Sequence, residues 1–242
     1  MSLLNKLRAG HERQAAPGSP GRVGRGSPTT PAERPGPAFA PRGGRLSTAL
    51  KDCLWQLDGI QHGSVLDLGP VWQTTVSFFI ERNFKVYTED LLLAWRDFLR
   101  AERDRLRALP PGEEAPEIST AVRAEDFLRE NLQHPDKSFD AVLIWDLLDY
   151  LDSDLVPRLV ARLDELLREG GVILAVFHSR KPETFHRYRV LDAQNIELIP
   201  TPALFAPQHI YQNREILNLF GPFRTSKTFV GRDQLREGLF IK

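Results

Sequence analysis

Two periodicities of apolar residues alternate along the chain from Leu46 onward. Apolar spacings of three and four residues predict helices, and short continuous apolar runs predict buried strands. The first predicted helix begins near Leu46, and the later ones cover residues 72–82, 91–109, 153–169 and 214–220. The predicted strands cover residues 65–68, 85–88, 139–145 and 172–177, with a shorter one near 120–123. Strands that alternate with helices in this way are typical of a parallel, doubly wound α/β sheet.

The C-terminal third has a different pattern. Residues 186–191 and 196–200 predict a hairpin, and residues 223–230 and 235–241 predict two strands joined by a turn at residues 231–234. A helix and a terminal antiparallel hairpin therefore close the sheet. The predicted fold class is α/β, a doubly wound, Rossmann-like, mostly parallel sheet with a C-terminal antiparallel hairpin.

Residues 1–45 differ from the rest of the chain in composition. They hold eight Lys and Arg residues against two Glu residues, and residues 10–45 contain seven prolines and eight glycines. Few large apolar side chains are present there to offset the entropy lost on ordering. We therefore expect residues 1–45 to be a disordered, basic, Pro/Gly-rich tail, with a binding arm as the alternative, and residues 46–242 to form the folded domain.

Composition narrows the class of protein further. Residues 46–242 carry 24 basic and 30 acidic residues, so nucleic-acid binding is not expected of the domain. No run of 18 apolar residues predicts a membrane span, and the N-terminus lacks the apolar core of a secretory signal. We expect a cytoplasmic protein. The single cysteine, Cys53, falls on an apolar helical stripe and is expected to be buried, and no histidine pair has metal-ligand spacing.

The most informative segment lies between Ser64 and Asp90. A short apolar strand ends in Asp67-Leu68-Gly69, a helix follows, and a second strand ends in Glu89-Asp90, 23 residues after Asp67. This βαβ layout brings backbone N–H groups and a helix N-terminus under a ligand, and it brings a carboxylate to ribose hydroxyls.

This layout, with the terminal hairpin, resembles the class I S-adenosylmethionine (SAM) dependent methyltransferases. Their first motif has three glycines after the acid, and the corresponding residues here are Gly69, Val71 and Gln73. The resemblance implies SAM as cofactor and methyl transfer to an oxygen or nitrogen of a small molecule or a protein. Because two of the glycines are replaced, a non-catalytic binding or interaction protein of the same fold is the alternative. A nicotinamide-dependent enzyme is a third hypothesis, which the C-terminal hairpin disfavours.

The resemblance also implies a role for individual residues. Asp67, Gly69 and Pro70 would shape the methionine end of the cofactor site. Asp90 would accept hydrogen bonds from both ribose hydroxyls, or would cap the helix that follows it, and a shift of one residue would give the ribose role to Glu89.

Further predicted site residues follow the later strands. Asp126 and Phe127 would meet the adenine at the end of a third strand, with an exposed loop position as the alternative for Asp126. Asp146, at the end of the 139–145 strand, would have a functional role, with a helix cap or a surface position as the alternative, and Leu147 to Leu151 would lie near the adenosine and the transferred methyl group. His178 follows the 172–177 strand and could take a proton from the acceptor, because histidine titrates near neutrality, with a polar loop residue as the alternative. Asp146 and His178 are the candidate catalytic residues.

Overall fold

The computed structural model describes residues 44–110, 113, 117–231 and 233–242. Residues 1–43, which make up most of the predicted tail, lie outside this range. Arg45 was assigned to the tail by composition, but it begins the first strand and forms ion pairs with Asp233 and Glu237.

Helices and strands alternate through most of the described chain. The helices are α1 (Thr48–Gln56), α2 (Gln73–Ile80), α3 (Leu91–Arg107), α4 (Thr120–Glu130), α5 (Leu155–Leu166) and α6 (Asn213–Leu219), with a short 3₁₀ turn at Leu147–Tyr150. The strands are β1 (Arg45–Leu46), β2 (Ser64–Asp67), β3 (Lys85–Thr88), β4 (Phe139–Trp145), β5 (Leu167–His178), β6 (His186–Val190), β7 (Asn195–Pro200), β8 (Thr225–Val230) and β9 (Leu235–Ile241). None of these helices is long and apolar enough to span a bilayer.

The main sheet has six strands in the order β3-β2-β4-β5-β9-β8. Strands β3, β2, β4 and β5 are parallel, and β9 pairs antiparallel with both β5 and β8. The predicted fold class, including the C-terminal antiparallel hairpin, is therefore confirmed. A separate antiparallel sheet, in the order β1-β7-β6, contains the predicted 186–200 hairpin.

Apolar side chains pack on both faces of the main sheet. One face is covered by α3, α4 and α5, which bury residues such as Trp95, Phe127 and Leu159. The other face is covered by α1 and α2, and there Cys53 and Phe79 are fully buried, as expected for Cys53. Helices on both faces are the arrangement of a doubly wound sheet.

The predicted strand near residues 120–123 is wrong, because this segment begins helix α4. The Ser119 hydroxyl accepts a hydrogen bond from the Val122 N–H (3.2 Å) and so caps the helix. Ala124 and Phe127 are three residues apart and face the core together. Strand β3 is therefore at one edge of the sheet.

The predicted helix over residues 153–169 is too long. Helix α5 ends at Leu166, and Leu167 turns into an extended conformation that pairs with Phe139 of β4. Gly170 and Gly171 consequently lie inside β5, where Gly170 has φ +78°, rather than closing a helix. A glycine pair suits both a helix stop and an irregular strand, so its position alone did not separate the two.

Candidate functional site

Four of the predicted site residues lie at the carboxyl ends of the parallel strands. Asp67 ends β2, Asp90 follows β3, Asp146 follows β4 and His178 ends β5. The strand order reverses between β2 and β4, which is where doubly wound sheets hold ligands in a crevice. We refer to this edge of the sheet as the ligand edge.

Asp67 is buried and has two donors within the chain. The Gly69 N–H donates to its Oδ1 at 2.9 Å, and the Trp145 Nε1–H donates to the same oxygen at 2.7 Å. Burial raises the pKa of Asp67 to about 6, although both hydrogen bonds favour the ionised form. The carboxylate thus joins the turn after β2 to the end of β4.

The Trp145 side chain fills the space beyond Gly69. A Cβ added to Gly69 would lie 2.9 Å from the indole ring. The indole is stacked on Tyr188 of β6, with ring centroids 5.6 Å apart and planes 7° from parallel. Trp145 has φ +56°, in the left-handed region that bulky side chains rarely adopt.

The residues at the crevice leave little space for a ligand in this conformation. The cavity bounded by Gly69, Pro70, Trp145, Leu147 and Tyr188 measures about 10 Å³, close to the minimum that one water molecule needs. Cofactor pockets measure roughly 300 Å³ or more. A ligand of cofactor size therefore does not fit between β2 and β4 unless the Trp145 and Tyr188 side chains move.

Asp90 also has partners within the chain. Its Oδ1 accepts from the Leu93 N–H at 3.2 Å, so it caps α3 as the alternative prediction stated, and it accepts from Arg187 Nη1 at 3.0 Å. Glu89 interacts with His134 rather than with Arg187. An open cleft of about 380 Å³ lies next to Glu89 and Asp90 and is bounded on its other side by residues 130–133.

Asp126 and Phe127 are not at the ligand edge. Both lie in helix α4, because the third strand on which their placement depended is absent from the described chain. Asp126 pairs with Arg129 on the same helix. Phe127 is fully buried, with its ring 4.9 Å from that of Trp95. Their predicted placement at a strand end is therefore wrong, and their contact with the adenine stays a prediction.

A buried acid–imidazole cluster follows β4 and β5. Asp149, in the 3₁₀ turn, accepts from the His178 backbone N–H at 2.7 Å, and the same Oδ2 lies 2.9 Å from His178 Nδ1. On the other side of the ring, His178 Nε2 lies 3.7 Å from Asp146 Oδ2. The Tyr188 hydroxyl donates to that Asp146 oxygen at 3.2 Å. The two nitrogens of one imidazole thus face two carboxylates.

Burial and charge shift the protonation equilibria of this cluster. Burial raises the pKa of Asp146 to about 7, and the nearby His178 only partly offsets that effect. Burial on its own would lower the pKa of His178, but the hydrogen bond to Asp149 and the charges of both acids raise it. Perturbed groups of this kind are concentrated at functional sites.

Sequence reasoning missed Arg187 and Tyr188, and it placed Asp149 only as part of the segment Leu147 to Leu151, without a role of its own. An acid between two apolar residues just after a buried strand was the available signal for Asp149. Arg187 and Tyr188 come from the hairpin, and their contacts with Asp90 and Trp145 span nearly 100 and over 40 residues of sequence. Among the described residues, no group of three His, Cys, Asp or Glu side chains is arranged to hold a metal ion.

Comparison with known proteins returns solved structures only. No protein-family model matches the chain, and no curated protein matches it. One similar structure is the 1,6-didemethyltoxoflavin-N1-methyltransferase of Burkholderia thailandensis with bound S-adenosylhomocysteine (16% identity, TM-score 0.43, 80% of this chain and 76% of that chain). A SAM-dependent methyltransferase from Aquifex aeolicus is 11% identical, with a TM-score of 0.41 over 79% of this chain and 88% of that chain. One from Methanosarcina mazei is 13% identical, with a TM-score of 0.39 over 76% of this chain and 93% of that chain. Scores this low assign no role to any residue here, and the fold class follows from the strand order of the chain itself.

Proposed function

We propose that this protein transfers a methyl group from SAM to an oxygen or nitrogen of a small-molecule or protein acceptor. The observation that carries the proposal is the buried cluster of Asp146, Asp149 and His178 at the ligand edge. Burying ionisable groups costs free energy, and none of these three is needed to fill a core. Neighbouring solved structures described as SAM-dependent methyltransferases agree with the proposal without carrying it.

The proposed chemistry uses His178 as a base. Asp149 fixes the ring and holds a proton on Nδ1, which leaves Nε2 to take a proton from an acceptor hydroxyl or amine. Asp149 is therefore a positioning residue. When bound, SAM supplies the electrophilic methyl group, Asp67 would face its methionine end and Asp90 its ribose. The cleft of about 380 Å³ next to Asp90 offers space for the adenosine end.

Calorimetric titration of the whole chain with SAM, S-adenosylhomocysteine and NADH tests the cofactor. Saturable heat with the first two and none with NADH is expected. Heat with NADH alone would assign a nicotinamide cofactor instead.

The base is tested by His178→Asn. Removing a general base lowers rates by roughly 10²–10⁴-fold. The rate of methyl transfer from tritiated SAM to the components of a cell extract should fall by that factor, while the affinity of the variant for S-adenosylhomocysteine stays unchanged. His62→Asn is the matched control, because His62 is exposed in the loop before β2 and its left-handed φ of +59° suits asparagine. Equal transfer by His178→Asn and the parent protein would refute the assignment.

A second candidate function is a non-catalytic protein of the same fold that binds a partner. The observation that favours it is the closed crevice, in which Trp145 and Tyr188 fill the methionine end and Arg187 pairs with Asp90. This candidate predicts no heat with millimolar SAM, both for the parent protein and for a variant in which the crevice has been opened.

A further inference from the structure

Residues 186–200, comprising β6, β7 and the turn between them, cross the crevice and are called the strap. From the strap, Arg187 reaches Asp90 and Tyr188 stacks on Trp145. We propose that the strap and the Trp145 indole form a removable plug, and that SAM enters only when the indole and the Arg187 end of the strap move away together. This inference rests on the proposed cofactor site.

The conformation of Trp145 is held by its side chain. A left-handed φ is unfavourable for a bulky residue and persists only where the surroundings enforce it. Here the enforcing contacts are the hydrogen bond to Asp67 and the stack on Tyr188. The pairing of β4 with β5 shifts register between Leu143 and Trp145, so the end of β4 is already irregular. Release of the indole removes the contacts that maintain the unfavourable backbone angle.

Arg187 acts as the latch because it uses the acceptor that the ribose needs. Its guanidinium donates to Asp90 Oδ1, and Asp90 is the carboxylate proposed to receive the ribose hydroxyls. Ligand and latch therefore compete for one group, and binding is coupled to opening. A protein that is mostly closed shows an apparent Kd raised by the inverse of its open fraction.

The far end of the strap is fixed to other elements. Ile196 of β7 pairs with Arg45 of β1, and the Val190 N–H donates to the Thr75 hydroxyl of α2 at 3.0 Å. None of these residues lines the crevice, so movement of the Arg187 end does not require these contacts to break. The geometry is that of a hairpin fastened at one end and latched at the other.

Two variants that should open the crevice, and one control variant, test the plug by calorimetry. Trp145→Gly removes the indole and supplies the residue that tolerates a left-handed φ, and Arg187→Ala removes the latch. Arg189→Ala is the control, because Arg189 lies on the same strand but pairs with Glu197. The probes are free indole and S-adenosylhomocysteine.

The plug predicts that indole binds Trp145→Gly and not the parent protein. It also predicts that both opened variants bind S-adenosylhomocysteine roughly tenfold tighter or more, and that Arg189→Ala matches the parent. No indole binding, with equal affinity for S-adenosylhomocysteine in all four proteins, would overturn the plug and leave the cofactor site intact. Indole binding without any S-adenosylhomocysteine binding would instead remove SAM from the proposed function, and with it the role of the plug. If Trp145→Gly does not fold, Arg187→Ala decides the question, and an affinity equal to that of Arg189→Ala overturns the plug.

Discussion

Replacing Asp146 with asparagine is expected to stabilise the protein at alkaline pH and to change little at acid pH. Asparagine has nearly the same shape and still offers an oxygen to the Tyr188 hydroxyl, which donates to Asp146 at 3.2 Å. What it removes is a buried negative charge. The substitution therefore isolates the free energy of burying that charge.

The size of the effect follows from the pKa of Asp146, which is about 7 in the folded protein against 3.8 for the free side chain. Because the folded pKa is raised, the folded state holds the proton more tightly. The contribution of Asp146 to the free energy of unfolding is therefore greatest below pH 3.8, and it falls as the pH rises to about 7. At 1.36 kcal/mol per pH unit, this interval bounds the loss at about 4 kcal/mol. That pKa already includes the attraction to His178, 3.7 Å away, so we expect asparagine to recover up to about 4 kcal/mol at alkaline pH.

Urea denaturation of Asp146→Asn and the parent protein at about pH 4 and at about pH 8.5 measures this difference. We expect similar free energies of unfolding at the lower pH and a more stable variant at the higher one. Asp58→Asn, at an exposed position after α1, is the control and should stay within about 0.5 kcal/mol at both pH values. A variant that is equally stable or less stable at the higher pH would refute the reasoning.

Two further predictions, one on ion pairs and one on packing, are measured by urea denaturation. Arg45→Ala leaves the buried Glu237 carboxylate without its cation and should lower the free energy of unfolding by about 3–5 kcal/mol. Lys227→Ala breaks an exposed pair and should lower it by less than about 1 kcal/mol, and equal losses for the two variants would contradict this prediction. Gly69→Ala puts a Cβ 2.9 Å from the Trp145 ring and should cost about 1–3 kcal/mol, with a clearly smaller cost in a Trp145→Ala background; strict additivity would contradict that contact.

The sequence predicted β2 and β4 because these strands are fully buried. An apolar run over residues 141–145 marked β4, whereas β3 matched its predicted bounds although its residues are half-buried or exposed. The segment at residues 120–130 misled because Ala121, Val122 and Ala124 are compatible with either structure. What decided it was the Ser119 cap and the packing of Phe127 on Trp95, and that contact spans about 30 residues of sequence.

Only the site residues whose position follows from the order of strands along the chain could be predicted. Asp67, Asp90, Asp146 and His178 each end or follow a parallel strand, so topology alone brings them to one edge. Closure of the crevice by Trp145 and its partners on the strap depends on how the 186–200 hairpin lies against the sheet. Alternation of apolar residues predicts a hairpin but not the surface that it covers.

The indole N–H of Trp145 is a direct probe of the proposal that SAM binds where this side chain now lies. In a ¹⁵N-labelled protein its NMR signal can be assigned by its absence from Trp145→Phe, and Trp55, which is exposed on α1, serves as an internal control. We expect titration with S-adenosylhomocysteine to move the Trp145 signal along a saturable curve and to leave that of Trp55 unchanged. A Trp145 signal that stays in place at millimolar S-adenosylhomocysteine would contradict the proposal.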